Sequence, residues 1–501
     1  MQALQDQHVL ILGLGLSGLA MARWCARQGA QVSVVDSRDA PPQLEALRAS
    51  VPSASFRCAA FDAALVQDGM VRAVFKSPGL APGVVAPVLA QARAQGLWVG
   101  GELSLFAQAL ADLKLTRDYH PKLLAVTGTN GKTTVTSLTT QLVERAGKSV
   151  AMAGNIGPTL LDTLSQHLDG GNLPEVWVLE LSSFQLDDAQ GLEPTAATVL
   201  NITQDHLDWH GDMAGYAQAK AKIFGEQGQM LLNREDPMVM AMLPMPIKGK
   251  PARNCVTFGG DMPTRPGDFG LENLNGMVWL VRALEADETR KKRKDDEEEL
   301  HIQRLMPAEA LRIRGRHNAV NALSALALAA AAGCPLAPIL YGLREYRGEP
   351  HRVEPIGIVH DVEYFDDSKG TNVGATQAAL AGLGADRKLV VILGGEGKGQ
   401  DFSPLAAPVA RFARAVVLIG RDAPQIRAVL EPTGVPLLDA DSMAGAVQLA
   451  SQRAHAGDAV LMSPACASFD MFDNYEHRAR VFRGAVEELA QAAGIALEGM
   501  L

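Results

Sequence analysis

The sequence predicts an α/β protein of three domains. The first is Rossmann-like, the second a P-loop-type ATPase domain on a parallel sheet, and the third Rossmann-like again. Three observations predict this. Apolar, strand-like runs alternate with helical patterns almost throughout, the signature of parallel sheets with crossover helices. Two glycine-rich turns, Gly13-x-Gly15-x-x-Gly18 and "TGTNGKTT" at 127–134, each follow an apolar run and open a helix. A chain of 501 residues, 47% of them hydrophobic, holds about three domains of ordinary size.

The first block, 1–110, contains the strand-like runs "HVLILG", "VSVVD", "AVFKSPG" and "LWVGG". Gly13, Gly15, Gly18 and Asp36 form a dinucleotide-binding fingerprint. The glycines permit a tight turn, the following helix N-terminus receives a pyrophosphate, and the acid suits a ribose. The pattern does not name the nucleotide. An NAD-dependent dehydrogenase is one reading of it, but that reading leaves the second glycine loop idle.

The second block, 111–348, opens with the strand "KLLAVTG" and a helix after "GKTT". Backbone N–H groups of such a loop cradle phosphate at a helix N-terminus. Lys132 is placed to reach the β- and γ-phosphates, and Thr133 to ligate Mg²⁺. The loop departs from the standard phosphate-loop spacing, with Val126 where the first glycine is expected and Gly128 two positions later. "EVWVLELSS" sets Glu180 at the end of a strand, and "AATVLNIT" leads to His206. Ligands of open α/β sheets bind beyond the strand C-termini, so Lys132, Glu180 and His206 fall on one edge.

Within the same block, 261–305 is rich in Gly, Pro and charge and reads as a variable insertion. Its run Arg290–Lys294, followed by "DDEEE" at 295–299, reads as a solvated loop or helix. The alanine-rich stretch Ala322–Leu340 is broken at Gly333, which fits a buried helix rather than a membrane span. The third block, 349–501, repeats the alternation with "LVVILGG", "AVVLIG" and "AVLMSPA".

A net charge of −10 argues against a nucleic-acid partner. Five scattered cysteines with no CxxC fit a reducing compartment, hence a cytoplasmic location. Asp6, with no Lys or Arg, precedes the first apolar stretch, which is not the pattern of a signal peptide. A monomer acting on small molecules, without a membrane span, is expected.

The motifs "TGTNGKTT", "GNIG" at 154–157, "LELSSFQL" at 179–186, "NITQDHLD" at 201–208 and "YAQAKAKIF" at 216–224 resemble those of the Mur ligases of peptidoglycan synthesis. "GRHNAVNALSALALA", "PHR" at 350–352, "DDSKGTN" at 366–372, "GGEGKGQDF" and "SPACASFDMFDNY" extend the resemblance over nearly the whole chain. "LELSSFQL" and "SPACASFD" are most similar to the D-glutamate-adding branch of that family.

The resemblance implies an ATP-dependent ligase that joins D-glutamate to UDP-MurNAc-L-Ala through an acyl phosphate and a tetrahedral intermediate. It implies that the first domain holds the UDP-sugar and no NAD. Leu16, Ser17, Asp36, Ser37, Arg38, Gly79, Asn155 and His206 are the implied contacts to that substrate. ATP is implied at Gly128, Thr129, Asn130, Gly131, Lys132, Thr133, Thr134, Asn318, Arg352, Asp367 and Lys369. Thr133, Glu180, His206 and Lys220 are implied to hold two Mg²⁺ ions, with a CO₂-derived carbamate on Lys220. Catalysis would rest on Lys132, Glu180, His206 and Lys220. Thr371, Lys398, Ser468, Phe469 and Tyr475 would line the D-glutamate pocket. The family often has Leu and Phe where Phe469 and Tyr475 stand. A folylpolyglutamate synthase-like ligase shares the ATPase core but should lack a UDP-binding first block. Because ligands come from three blocks, the site is expected to be complete only when the third closes on the second.

Overall fold

The computed structural model describes residues 4–246, 252–286, 300–385 and 387–497. Among these described residues, three sheets follow one another along the chain. β1 (His8–Leu12), β2 (Gln31–Asp36), β3 (Ser55–Cys58), β4 (Val71–Lys76) and β5 (Trp98–Gly100) form a parallel sheet in the order β3-β2-β1-β4-β5. The order reverses at β1, which places the Gly13 turn at the switch point where ligands bind in such sheets.

The second sheet has nine strands: β6 (Lys122–Thr127), β7 (Val150–Gly154), β8 (Val176–Glu180), β9 (Ala196–Val199), β10 (Gln229–Asn233), β11 (Cys255–Phe258), β12 (Phe269–Leu274), β13 (Met277–Glu285) and β14 (Leu300–Pro307). Their order is β14-β13-β12-β11-β10-β9-β6-β8-β7. β6 to β9 are short apolar runs buried on both faces, as parallel strands under helices must be. Val126 pairs with Glu180 across β6 and β8, so the glycine loop and Glu180 leave the same edge side by side.

The third sheet runs β15-β16-β20-β17-β18-β19, from β15 (Glu354–Val359), β16 (Val362–Asp366), β17 (Leu389–Gly394), β18 (Ala413–Ile419), β19 (Leu437–Asp439) and β20 (Ala459–Met462). The α/β class is as predicted, but two sheets are not wholly parallel. β12, β13 and β14 pair antiparallel at one edge of the second sheet, and β15 pairs antiparallel with β16 in the third.

The stretch 261–305, read from the sequence as an insertion, carries those edge strands. β12, β13 and most of β14 lie in it and extend the central sheet, burying Phe269, Leu271, Leu280, Val281 and Ala283. Their buried positions are interspersed with Gly, Asn and Glu, which hid the strand pattern. The charged run at 290–299 lies outside the described residues. The alanine-rich stretch is a helix, Arg316–Ala331, with Gly333 at φ +76° beyond its end. It is buried along most of its length, so alanine here serves close helix–sheet packing. Among the described residues, no helix is long and apolar enough to cross a membrane. All five cysteines are free thiols.

Candidate active site

The chain leaves β6 at Thr127 and turns through Gly128 (φ +155°) and Gly131 (φ +84°) into the Lys132–Arg145 helix. A Cβ on Gly131 would lie 2.9 Å from the Asn321 side chain, so glycine answers both the left-handed backbone and the crowding. The loop is braced from behind. Thr129 N donates to Asn201 O at 2.9 Å and Asn130 N to Asn201 Oδ1 at 2.8 Å. The Thr129 hydroxyl donates to Thr203 O at 3.2 Å and accepts from Tyr216 at 3.3 Å. Lys132 Nζ folds over the loop and donates to Gly128 O and Thr129 O at 2.8 and 2.9 Å. Burial pulls its pKa below the ordinary lysine value, partly offset by the Glu180 carboxylate.

Glu180, at the end of β8, is 1% exposed. Its Oε1 accepts from Asn155 Nδ2 at 2.9 Å, while its buried Oε2 has no hydrogen-bond partner. An orphaned carboxylate oxygen beside the loop suits a hard cation. Lys220, in the Met213–Ala221 helix, is also 1% exposed. Its Nζ donates to Gly128 O at 2.9 Å and to Thr127 Oγ1 at 3.3 Å, and lies 4.6 Å from the Tyr216 ring centre. Burial first, and then the charge of Lys132, push its pKa well below the ordinary lysine value. His206 sits in left-handed backbone at φ +53°, its ring 4.7 Å from Phe184, with burial lowering its pKa. Lys222, two residues from Lys220, instead reaches Asp187 at the surface.

The third sheet supplies the opposite wall. Arg352 donates to the Thr133 hydroxyl, and Asn130 exchanges amide hydrogen bonds with Asn372 at 3.2 and 3.1 Å. Arg352 stands between His351 at φ +62° and Val353 at φ +52°, an uncommon conformation for a β-branched residue. His351 Nδ1 against Asp366 Oδ2 at 2.6 Å and Val353 N to Asp367 Oδ1 at 3.3 Å hold that bend. Asp367 is buried, accepts from Ser463 Oγ at 2.6 Å, and burial raises its pKa to about 7. Lys369 stacks 3.7 Å from the Tyr475 ring centre, and burial lowers its pKa. Asn318, Asn321, Arg352, Asp367 and Lys369 line one cleft with Asn130 and Gly131.

The D-glutamate candidates occupy neighbouring loops of the third sheet. Lys398 (φ +51°) points its Nζ to 5.6 Å from the Phe469 ring centre. Gln400 links their loops, donating to Gly397 O at 3.0 Å and reaching Thr371 O at 3.5 Å. Ser468 is 3% exposed, whereas Phe469 is 64% exposed.

The N-terminal turn is constructed differently. A Cβ on Gly18 would meet Gly13 O at 2.1 Å, so the helix packs directly on the turn. Both oxygens of Asp36 are taken. Oδ2 accepts from Leu14 N at 2.7 Å and Arg38 NH2 at 2.8 Å, and Oδ1 from Arg38 N at 3.0 Å and Nε at 2.8 Å. The Arg38 hydrogen bonds hold its carboxyl down to about 2. Leu16 is 66% exposed at the mouth of the turn, and a Cβ on Gly79 would meet nothing within 4 Å. Ser37 lies on the same rim, its carbonyl accepting from Cys58 Sγ at 3.7 Å, and the Ser17 hydroxyl bonds the buried Glu102 carboxylate.

Sequence reasoning missed Asn201, Tyr216, Asn321 and Asn372. Asn321 had a signal, since it lies three residues after Asn318 and so on the same helix face. The other three act by bracing loops, which no spacing rule reveals.

Three family models match the chain: "Mur ligase MurD-like, N-terminal domain" over 7–101, "Mur ligase middle domain" over 126–329, and "Mur ligase, glutamate ligase domain" over 351–466. The chain is 72% identical to the UDP-N-acetylmuramoylalanine--D-glutamate ligase of Albidiferax ferrireducens, covering 100% of this chain and 99% of the relative. It is 56% identical to the enzyme of that name from Burkholderia mallei, over 98% and 99% of the two chains. Among solved structures, the MurF ligase of Thermotoga maritima in complex with ADP aligns with a TM-score of 0.57 at 16% identity, covering 97% and 96% of the chains. The UDP-N-acetylmuramate-alanine ligase MurC of the same organism aligns at 0.52 and 20% identity, over 97% and 100%. These two share the fold. The full-length identity to curated relatives goes further: the chain belongs to the Mur ligase family.

Proposed function

We infer that the chain is an ATP-dependent amide ligase that adds D-glutamate to UDP-N-acetylmuramoyl-L-alanine in peptidoglycan precursor synthesis. The observation that carries this is the 72% identity, end to end, with a D-glutamate ligase. Neither a dehydrogenase nor a folylpolyglutamate synthase-like ligase is favoured, since neither accounts for a match that covers all three sheets.

We propose that 1–110 binds the UDP-sugar, 111–348 binds ATP and holds the acyl centre, and 349–501 brings D-glutamate. A carboxylate is a poor electrophile because its leaving group is oxide-like. Transfer of the γ-phosphoryl from ATP to it releases ADP and creates an acyl phosphate, whose carbonyl carbon the D-glutamate amine attacks with loss of a proton. The resulting tetrahedral intermediate expels phosphate. The protein's work is positioning and charge stabilisation. Lys132 and Arg352 converge on the loop mouth from opposite walls and neutralise the transferring phosphoryl group. Asn318, Asp367 and Lys369 hold the nucleotide in the cleft. Lys398 offers a cation to a substrate carboxylate, with Thr371, Ser468, Phe469 and Tyr475 around it.

Thr133, Glu180, His206 and Lys220 are the proposed holders of Mg²⁺. The free Oε2 of Glu180 is the observation that fits this. Mg²⁺ there supplies charge neutralisation for the phosphates. Lys220 as an ammonium opposes that role. Its burial favours the neutral amine, whose lone pair can attack CO₂: an N–C bond forms, a C=O electron pair moves to oxygen, and a proton leaves to water. The carbamate so formed is an anionic oxygen ligand. The protein is proposed to act in the cytoplasm as a monomer.

The test is phosphate release from ATP with UDP-MurNAc-L-Ala and single amino acids. D-glutamate should support turnover, and D-glutamine should be at least tenfold poorer in kcat/KM, since the amide leaves a cation unpaired. Equal kcat/KM for the two overturns the pocket assignment. No turnover with D-glutamate overturns the function.

A further inference from the structure

Lys76 ends β4, and Ser77 next to it donates its hydroxyl to Gly13 O at 3.0 Å. The Lys76 side chain is only 4% exposed. Its Nζ lies 2.6 Å from Asp188 Oδ2, across the seam to the central region, while the more exposed Arg93 approaches Asp188 Oδ1 at 3.6 Å. The same Nζ is 5.6 Å from the Trp209 ring centre. Asp188 closes the short Ser183–Asp187 helix that begins just after Glu180. Phe184 in that helix packs at 4.7 Å on His206 and 4.4 Å on Trp209.

Neutral contacts reinforce the seam at the same place. Ser104 Oγ bridges Asp188 O and Gln190 N, both at 3.2 Å, and Gln190 Nε2 donates to Val99 O at 3.0 Å. Farther along, Glu102 accepts from Leu161 N at 3.1 Å. Lys76 is therefore one residue from the brace of the nucleotide turn and one short helix from the acyl centre. A buried lysine and aspartate are costly to desolvate, and apolar residues of similar size would fill the seam as well. What an ion pair adds is a fixed geometry between its two anchors.

We propose that the Lys76–Asp188 pair is a positioning clasp that sets the distance between the UDP-binding turn and the Glu180–His206 centre, so that one substrate molecule reaches both. The proposal rests on the function inferred above, because only a ligand held at both ends senses that distance. A ligand confined to the N-terminal turn does not.

Full-length variants Lys76→Met, Asp188→Asn and the double variant test this. KM is measured for UDP-MurNAc-L-Ala and for ATP, and Kd for UMP, which occupies the turn alone. Each single variant should raise the KM of the UDP-sugar about tenfold or more, leaving the UMP Kd and the ATP KM within twofold. The double variant leaves no buried charge unpaired but also has no clasp, so its UDP-sugar KM should stay raised about tenfold with the UMP Kd within twofold; recovery to the parent KM overturns the proposal. Single variants with an unchanged UDP-sugar KM overturn the clasp. So does a parallel rise in the UMP Kd, which marks local damage to the turn. If a single variant does not fold, the double variant decides: its UDP-sugar KM should be about tenfold above the parent's with the UMP Kd within twofold, and a UDP-sugar KM within threefold of the parent overturns the proposal. A parent enzyme that fails to turn over UDP-MurNAc-L-Ala refutes the inferred function instead.

Discussion

The turn at Gly13–Gly18 and the loop at Gly128–Lys132 both sit between a buried strand and a helix N-terminus, and both rely on glycines at positive φ. They differ in what surrounds them. The first is completed within its own sheet: Asp36 is satisfied by Leu14 and Arg38, and Ser77 by Gly13. The second is completed from elsewhere. Asn201 and Tyr216 brace it from within the central region, Lys220 reaches it from a following helix, and Arg352 and Asn372 close on it from the third sheet. A self-contained turn can hold a nucleotide as a fixed anchor. A loop assembled from distant segments has its charges brought together only by the tertiary fold, an arrangement that suits phosphoryl transfer.

Lys132→Ala should have the largest effect. Removing the loop cation should lower kcat by about 10³-fold, on the order of 4 kcal/mol of transition-state stabilisation. UMP binding to the first turn should not change. Phosphate release and UMP titration read the two sites separately, and near-parental turnover removes the ATPase role from the loop.

Lys220→Arg comes next, with an expected loss of about 100-fold or more. Arginine keeps the cation but cannot become a carbamate, so a structural ammonium would be rescued and a metal ligand would not. Lys222→Ala, which loses a surface contact to Asp187, should retain most activity. Parent-like rates for Lys220→Arg at saturating Mg²⁺ and ATP exclude the carbamate.

Gly18→Ala attacks the first turn instead. Its Cβ would meet Gly13 O at 2.1 Å, so the turn must shift. The KM for the UDP-sugar should rise tenfold or more with the ATP KM unchanged. An equal rise in both contradicts the independence of the two sites.

A smaller effect tests which nucleotide the first turn takes. UMP at about a hundredfold excess over its Kd should stabilise the protein by about 2.7 kcal/mol, seen as a rise of a few degrees in Tm. NAD should give none, and a rise with NAD alone would restore the dehydrogenase reading.

The smallest effect is on acid stability. Asp36 is held at about 2 against an ordinary 3.8, so its contribution is present above pH 3.8 and is lost as pH falls toward 2. Asp36→Asn should flatten that part of the stability–pH curve. An unchanged slope means that Arg38 does not hold Asp36 in solution.

The alternation of apolar runs and helices, the two glycine turns and the strand-end position of Glu180 were all legible in the chain itself. Each is a local matter: a strand's burial pattern, a turn's need for glycine, and the direction in which a parallel strand ends are set by neighbouring residues. The edge strands β12 to β14 were not legible, because their alternation is broken by polar residues and their pairing joins segments on either side of the charged run. The surroundings of Lys220 were not legible either. Spacing places it on a helix, but only packing against Tyr216 and Gly128 makes it a buried amine. Nor does any motif announce that Asn130 meets Asn372, or Lys76 meets Asp188, 242 and 112 positions apart. Sequence alone determined where the glycine turns and strand ends fall, because local sterics and hydrogen bonding decide them. The tertiary structure alone decided which charges share one low-dielectric space, because that depends on how separate sheets are set against one another.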